Sequence, residues 1–207
     1  MPEQKITYCV SISNKHSITK IENNIPKGSF IEYRLDIPYS LNDIKNMIYN
    51  YNCIIAPKIN IIYNEIKKII ELSPKYIDID FLKFESNLSE LINYSVMYNV
   101  KTIVSYHLSE EKISVEDIQL LIKKMLSFSP NYVKLVFNDE NSLDINQVLS
   151  LYDIFPSHRL LLFGMGKELK FTRLEAIKKG SPLMYVAHSS FGETAEGQFS
   201  LDEIQEV

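Results

Sequence analysis

Residues 101–137 read KTIVSYHLSEEKISVEDIQLLIKKMLSFSPNYVKLVF. Two short runs, Lys101–Tyr106 and Tyr132–Phe137, are nearly continuous in Ile, Val, Leu, Phe and Tyr. Between them Ile118, Leu121, Ile122 and Met125 recur at three- and four-residue spacing, the pattern of one apolar helix face. Ser114 with Asp117 has the form of a capping box, and Pro130 stops the helix before the second run. A strand that is apolar throughout has no polar face to offer water. Such strands belong to parallel sheets covered on both sides. The stretch is one β–α–β unit.

The same alternation extends in both directions. Further β-rich runs are Ile6–Ser13, Ser29–Leu35, Cys53–Ile59, Tyr76–Phe81, Arg159–Phe163 and Leu183–Ala187, which brings the count to eight. Helical spacing fills the gaps at Leu41, Ile44 and Ile48, at Ile62, Ile66, Ile69 and Ile70, and at Leu88, Leu91 and Ile92. Ser40 with Asp43 suggests another capping box, and Pro74 another stop. Asp144–Ile154 and Thr172–Lys179 continue the series, Gly180 stands at a C-terminal cap, and Ser200–Val207 is a short last helix. Strand and helix alternate throughout, which predicts an α/β protein with right-handed crossovers. Eight repeats predict a (β/α)8 TIM barrel, a compact single domain over residues 1–207 with short loops. A doubly wound open sheet is the rival. It calls for a glycine-rich turn after the first strand, and Ser11-Ile12-Ser13-Asn14-Lys15 contains none.

Composition excludes several function classes. An apolar fraction of 45% with 23% charged residues is ordinary for a soluble protein. A net charge of −4 gives no reason to expect a nucleic-acid partner. Cys9 and Cys53 form no CxxC pair and lie in apolar runs, where a thiol acts as a small buried hydrophobe. The N-terminus carries no signal pattern and no apolar stretch reaches the roughly 20 residues of a membrane helix. A cytoplasmic protein without a membrane partner is expected. HExxH, GxxxxGK[ST], GxGxxG and GxSxG are all missing, so zinc, phosphate-loop, dinucleotide and serine-hydrolase chemistry lack support.

In a barrel of this kind chemistry sits where strands finish. The polar residues there are Ser11 and Ser13, Glu32, Arg34 and Asp36, Lys58, Asp78 and Asp80, Ser105 to His107, Lys134, Met165 between two glycines, then Arg173, Ser189, Ser190, Thr194 and Gln198. Glu32 and Arg34 are two apart and point the same way from a strand. They form either a buried ion pair or a polar floor for a hydroxylated substrate. Lys134 lies within Tyr132-Val133-Lys134-Leu135-Val136-Phe137. It is either a snorkelling lysine with its head in water or a nucleophilic amine. At a pKa of about 10.4 only about one lysine in 2,500 is neutral at pH 7. Desolvation and nearby cations can bring that pKa to about 7–8. Lys58 and Arg34 are the cations available, so a partly uncharged amine is expected. His107 titrates near neutrality and is either a loop histidine or a general acid/base.

Taken in order, Glu32-Tyr33-Arg34-Leu35-Asp36, Ile103-Val104-Ser105-Tyr106-His107, Val133-Lys134, Met165-Gly166 with Thr172-Arg173, Gly180-Ser181, and Ala195 through Gly197-Gln198 resemble the type I 3-dehydroquinate dehydratases. The resemblance implies the barrel fold and a shikimate-pathway lyase that takes 3-dehydroquinate to 3-dehydroshikimate, with no metal or nicotinamide cofactor. Lys134 matches the Schiff-base lysine and His107 the general acid/base. Ser11, Glu32, Arg34, Lys58, Met165, Arg173, Thr194 and Gln198 match substrate-binding positions, with Arg173 gripping the carboxylate through its planar fork. Family members are often dimers, so a homodimer is expected.

Strand three departs from the family. Where the pattern is Thr-x-Arg followed by Glu-Gly-Gly, this chain has Ala56-Pro57-Lys58-Ile59-Asn60-Ile61-Ile62. Lys58 keeps the charge without the fork, and Ile62 falls near the glutamate that orients the histidine. Asp80, or Glu65, is the candidate replacement. Thr172 and Thr194 stand for serines and Glu196 for a proline. Two other readings stay open: a different Schiff-base barrel enzyme of aldolase type, and a non-catalytic barrel that binds a small carboxylate.

Overall fold

The structure is a computed structural model that describes residues 7–58, 60–108, 113–138, 141 and 143–205. Eight strands occupy the expected runs: β1 Tyr8–Ser13, β2 Phe30–Leu35, β3 Asn52–Pro57, β4 Tyr76–Asp80, β5 Lys101–His107, β6 Tyr132–Asn138, β7 Leu160–Met165 and β8 Met184–Ala187. Ile6, Ile59 and residues 206–207, within the expected spans, lie outside the described residues. A two-residue strand, β9 Phe199–Ser200, adds to the eight; it falls where the sequence suggests only the start of the last helix. The sheet order is β7-β6-β5-β4-β3-β2-β1-β8-β9 and every pairing is parallel.

Both faces of this curled sheet are buried, which is why the strands read as continuous apolar runs. Ile12, Ile31, Val104 and Leu135 face outward, in one cluster with Ile44, Ile69, Ile118 and Ile122 of the helices. Cys9, Ile54, Ile103, Leu161 and Tyr185 face inward and pack on one another. Phe30, Tyr76 and Tyr132 line the base of the interior, with ring centroids 5.8 Å and 5.6 Å apart. Above these two apolar layers the inward positions become polar.

The helices are α1 Ile18–Asn24, α2 Leu41–Asn50, α3 Tyr63–Glu71, α4 Phe81–Phe84, α5 Leu88–Met97, α6 Val115–Ser127, α7 Ile145–Ile154, α8 Phe171–Lys178 and α9 Leu201–Gln205. Ser40 caps α2 by accepting from the amides of Asn42 and Asp43, and Ser114 and Asp117 cap α6 reciprocally. Ser73 and Ser129 adopt left-handed φ values of 57° and 60° directly before Pro74 and Pro130, which ends α3 and α6. Gly180, at φ 98°, ends α8. Periodicity does not reveal helix α1, because only Ile21 is buried on it. No described helix is long and apolar enough to cross a membrane.

The hydrogen-bonded ring has a seam. Among the described residues no ladder joins β7 to β8. An open parallel edge leaves N–H and C=O groups that must find partners when buried. Here hydroxyls take that part. Leu160 C=O accepts from Ser181 Oγ at 3.3 Å. The Tyr152 hydroxyl accepts from Leu162 N–H at 2.7 Å and donates to Leu162 C=O at 3.1 Å. Gly164 N–H donates to Thr172 Oγ1 at 2.8 Å, and Gly166 N–H to the Glu196 carbonyl at 3.1 Å. Phe163 and Tyr185 close the gap inside, 6.1 Å between ring centroids.

Tyr152→Phe removes the one hydroxyl that serves both Leu162 N–H and Leu162 C=O and leaves both groups buried. It should cost at least about 2 kcal/mol, since each of the two unsatisfied buried groups costs about 1–3 kcal/mol. Urea unfolding measures this, and an unchanged midpoint would show that the seam does not depend on the hydroxyl.

Candidate active site

Strand alternation brings Glu32 of β2, Asp78 of β4, Ser105 of β5 and Lys134 of β6 to the interior, all buried. Register places Ser11 beside Glu32 and Ser105 beside Lys134. Lys134 Nζ lies 3.0 Å from Asp78 Oδ2 and 3.4 Å from Glu32 Oε1, and 4.4 Å from the centre of the Tyr185 ring. Its side chain is only 5% exposed. The snorkelling alternative is therefore wrong: the amine points into the barrel.

Asp78 is the hub of this array. Its Oδ2 also takes Lys58 Nζ at 3.5 Å, and its Oδ1 accepts from Ser105 Oγ at 2.5 Å. Burial works to raise the Asp78 carboxyl, but Lys134, then Lys58, hold it far below the usual carboxylate range. Glu32 behaves alike: burial is outweighed by Lys134, Lys58, Arg34 and the Ser11 hydroxyl, which donates to it. Both carboxylates are ionised. Their charge in turn corrects the expectation for Lys134. Burial alone would lower its pKa, but Asp78 and Glu32 outweigh burial and raise it above the ordinary lysine value. The resting amine is an ammonium. Arg34 does not pair with Glu32 either. It is half-buried and binds Asp36, 3.1 Å from Nη2 to Oδ1.

His107 ends β5 at the barrel mouth. Burial of its ring, then the positive charges of Lys134 and Lys58, push its pKa down to about 3. The residue as a whole is exposed, so water screens part of this effect and leaves its direction, a neutral imidazole at pH 7. Among the described residues nothing hydrogen-bonds this ring. The two replacements considered for the missing glutamate are both spent on helix ends. Asp80 is exposed and accepts from Lys83 N–H at 3.0 Å, and Glu65 Oε2 accepts from Ile62 N–H at 2.9 Å. Ile62 itself is 60% exposed.

Arg173, on α8, is buried beside the Phe163 ring, with Cζ 4.5 Å from its centroid. Its Nε is buried without a hydrogen-bond partner. Burial pushes its pKa down to about 10 against the pull of Glu193 and Glu32, so it stays a cation at pH 7. The last loop lies across the site. Thr194 Oγ1 donates to Ser11 Oγ at 2.6 Å, and Gln198 Oε1 accepts from the amides of Thr194 and Ala195 at 2.9 and 3.3 Å. Gly197, at φ 79°, passes so close to the Gly166 carbonyl that any Cβ there would run into it.

Two cavities meet at His107. One of about 30 Å³ is lined by Glu32, Arg34, His107, Lys134, Met165 and Arg173, with Gln198 over it. The other, of about 470 Å³, runs past Lys58, Asp78, Asp80, Lys83, Ser105 and His107. The site thus offers one amine, one imidazole beside the same cavity, and an arginine with an unused donor. Among the described residues no group of three His, Cys, Asp or Glu side chains is placed to hold a metal ion. Sequence reasoning sets Asp78 and Ser105 at strand ends without giving either a role in the site. The signal that could have done so is parity: Asp78 stands two before Asp80, and Ser105 two before His107.

A sequence model of the type I 3-dehydroquinase family matches residues 59–207. The chain belongs to that family. Among the relatives of this type I 3-dehydroquinase, a 3-dehydroquinate dehydratase of Methanocaldococcus jannaschii is 27% identical over 96% of this chain and 94% of its own. One from Methanococcus maripaludis is 26% identical over 96% and 97%. The type I enzyme of Clostridium difficile superposes with a TM-score of 0.80 at 19% identity, covering 99% of this chain and 91% of that one. The enzyme of Aquifex aeolicus gives 0.76 at 20% identity, covering 97% and 96%. At such identities the superpositions establish the barrel fold.

Asp78→Asn tests the charge state of the hub. A carboxylate whose folded pKa is depressed stabilises the fold fully above its unfolded value of about 3.9. That stabilisation is lost as pH falls through the folded value. The stability gap between wild type and Asp78→Asn should be about 3 kcal/mol at pH 7 and shrink steadily below pH 4. Urea unfolding across pH 7 to pH 2 measures it, and a constant gap would mean that Asp78 is not ionised.

Proposed function

We propose that this type I 3-dehydroquinase is a 3-dehydroquinate dehydratase that works through a Schiff base on Lys134. The observation that carries the reading is the joint presence of the buried Lys134 amine, His107 and the unpaired Arg173 donor around one small cavity. Lys134 gives up a proton and attacks the substrate ketone to form a carbinolamine; a proton returned to the carbinolamine hydroxyl lets it leave as water, and an iminium remains. The iminium is a better electron sink than the ketone. His107, neutral at rest, takes the C2 proton to give an enamine. The enamine expels the C1 hydroxyl, which leaves as water with the proton that His107 returns. Hydrolysis of the iminium frees the enone product and the amine. Each covalent step is easier than direct elimination.

In this reading Arg173 pairs with the substrate carboxylate. Ser11, Glu32, Arg34 and Lys58 serve the hydroxyls, Met165 is a wall, and Thr194 and Gln198 cover the bound ring. A cavity of about 30 Å³ holds one or two waters. The loop that carries Thr194 and Gln198 must therefore shift to admit a substrate. The reading extends to a cytoplasmic homodimer. Sedimentation equilibrium should give twice the chain mass, and a monomer at every concentration would remove the dimer.

The decisive experiment is hydride reduction in the presence of 3-dehydroquinate, followed by peptide mass mapping. One stable adduct at Lys134 and loss of activity are expected. An adduct on another lysine, or none with turnover intact, would overturn the mechanism. An aldolase-type enzyme would also trap at Lys134 but would not release the conjugated enone, which ultraviolet absorbance detects.

A further inference from the structure

Lys58 and Lys134 compete for one oxygen atom. Lys134 Nζ is 3.0 Å and Lys58 Nζ 3.5 Å from the same Asp78 Oδ2. The other Asp78 oxygen accepts from Ser105 Oγ, and both ammonium groups lie on the same side of the carboxylate, at Oδ2. Lys134 is sealed in the barrel, whereas the Lys58 side chain is 20% exposed and lines the 470 Å³ cavity. One carboxylate thus serves an inner and an outer ammonium.

We propose that Lys58 is a positioning residue for Schiff-base formation: by occupying Asp78 Oδ2 it takes up part of the countercharge that would otherwise keep the proton on Lys134. The inference rests on Lys134 being the Schiff-base amine. Its physical basis is mutual repulsion. Two cations on one carboxylate oxygen each make the other easier to deprotonate. The charged and titratable groups facing Lys134 are Glu32 and Arg34 from β2, Lys58 beyond β3, Asp78 from β4, His107 from β5, Cys9 from β1 and Tyr185 from β8. Arg173 faces Glu32 from α8. Of the cations, Arg34 pairs with Asp36 and reaches Lys134 only through space. Arg173 has its charge beside Glu193 and Glu32. Among these cations Lys58 is the one ion-paired with a carboxylate to which Lys134 is also ion-paired. Burial, then the charges of Lys134 and Arg34, weaken the hold of Lys58 on its own proton, and the repulsion between two ammonium groups acts on both of them.

The rate of adduct formation at Lys134 against pH, read by hydride trapping with 3-dehydroquinate and intact mass, tests this alongside kcat and KM. Without Lys58 the carboxylate answers to Lys134 alone. In Lys58→Met the ionisation midpoint for trapping should rise by about one pH unit or more, given the strength of charge interactions at this range. Near neutral pH kcat should fall about tenfold, the equivalent of one unit. Lys58→Gln, which keeps a donor toward Asp78 without charge, should move the midpoint the same way. Lys58→Arg, which keeps the charge, should bring it back toward wild type. An unmoved midpoint in Met and Gln variants with a raised KM would make Lys58 a plain binding residue and end the inference. So would an Arg variant that behaves like Met. A wild-type chain that forms no adduct at Lys134 would instead defeat the Schiff-base reading, and the inference with it.

Discussion

A lysine ammonium enclosed by strands, pinned between Glu32 and Asp78, is the interaction on which this site depends. Taking such a charge out of water costs several kcal/mol unless its partners are close and well oriented. The barrel provides that orientation cheaply. Alternation along β2, β4 and β6 sends Glu32, Asp78 and Lys134 inward from three separate strands. The apolar layers beneath, from Ile54 and Ile103 down to the stack of Phe30, Tyr76 and Tyr132, leave the three nowhere to go but toward one another. Packing below therefore fixes the electrostatics above.

Eight strands and most helices are legible in the sequence because burial on both faces leaves a simple mark, a continuous apolar run between capped and proline-stopped helices. Helix α1 leaves no such mark, having one buried side chain. The seam is illegible for a different reason. Whether β7 meets β8 through a ladder or through Tyr152, Thr172 and Ser181 hydroxyls depends on the distance between two backbones. Residue types alone do not encode that distance. The site is legible where a residue type is costly to bury, as with Lys134 and Glu32. It is misleading where charge state depends on partners. Counting Lys58 and Arg34 as neighbours suggests a weakened amine, but the two carboxylates, Asp78 first and then Glu32, outweigh burial and those cations.

The departures at strand three change how the histidine is governed. A carboxylate bonded to an imidazole would hold it in place and raise its pKa. Here Ile62 turns outward, Asp80 and Glu65 cap helices, and the buried carboxylates are engaged with lysines. Asp78 and Glu32 still act on His107 through space, but burial and the two ammonium groups outweigh them. The ring is kept neutral and able to accept a proton.

That arrangement links the basicity of His107 to the chemistry on Lys134. In the proposed reaction the amine loses its positive charge when it deprotonates to become a nucleophile. The cation that most depresses His107 then disappears, and the imidazole becomes a stronger base. Iminium formation restores a positive charge nearby, and the C2 proton becomes more acidic in the same step. Once His107 has taken that proton it is a cation, repelled by the ammonium of Lys58 and, among the described residues, without a carboxylate bonded to it. The imidazolium is therefore a strong acid toward the departing hydroxyl. A histidine tied to a glutamate would be better oriented but a weaker acid at that moment. The site trades fixed geometry for a proton that is held loosely, and the trade is set by where its two buried carboxylates are spent.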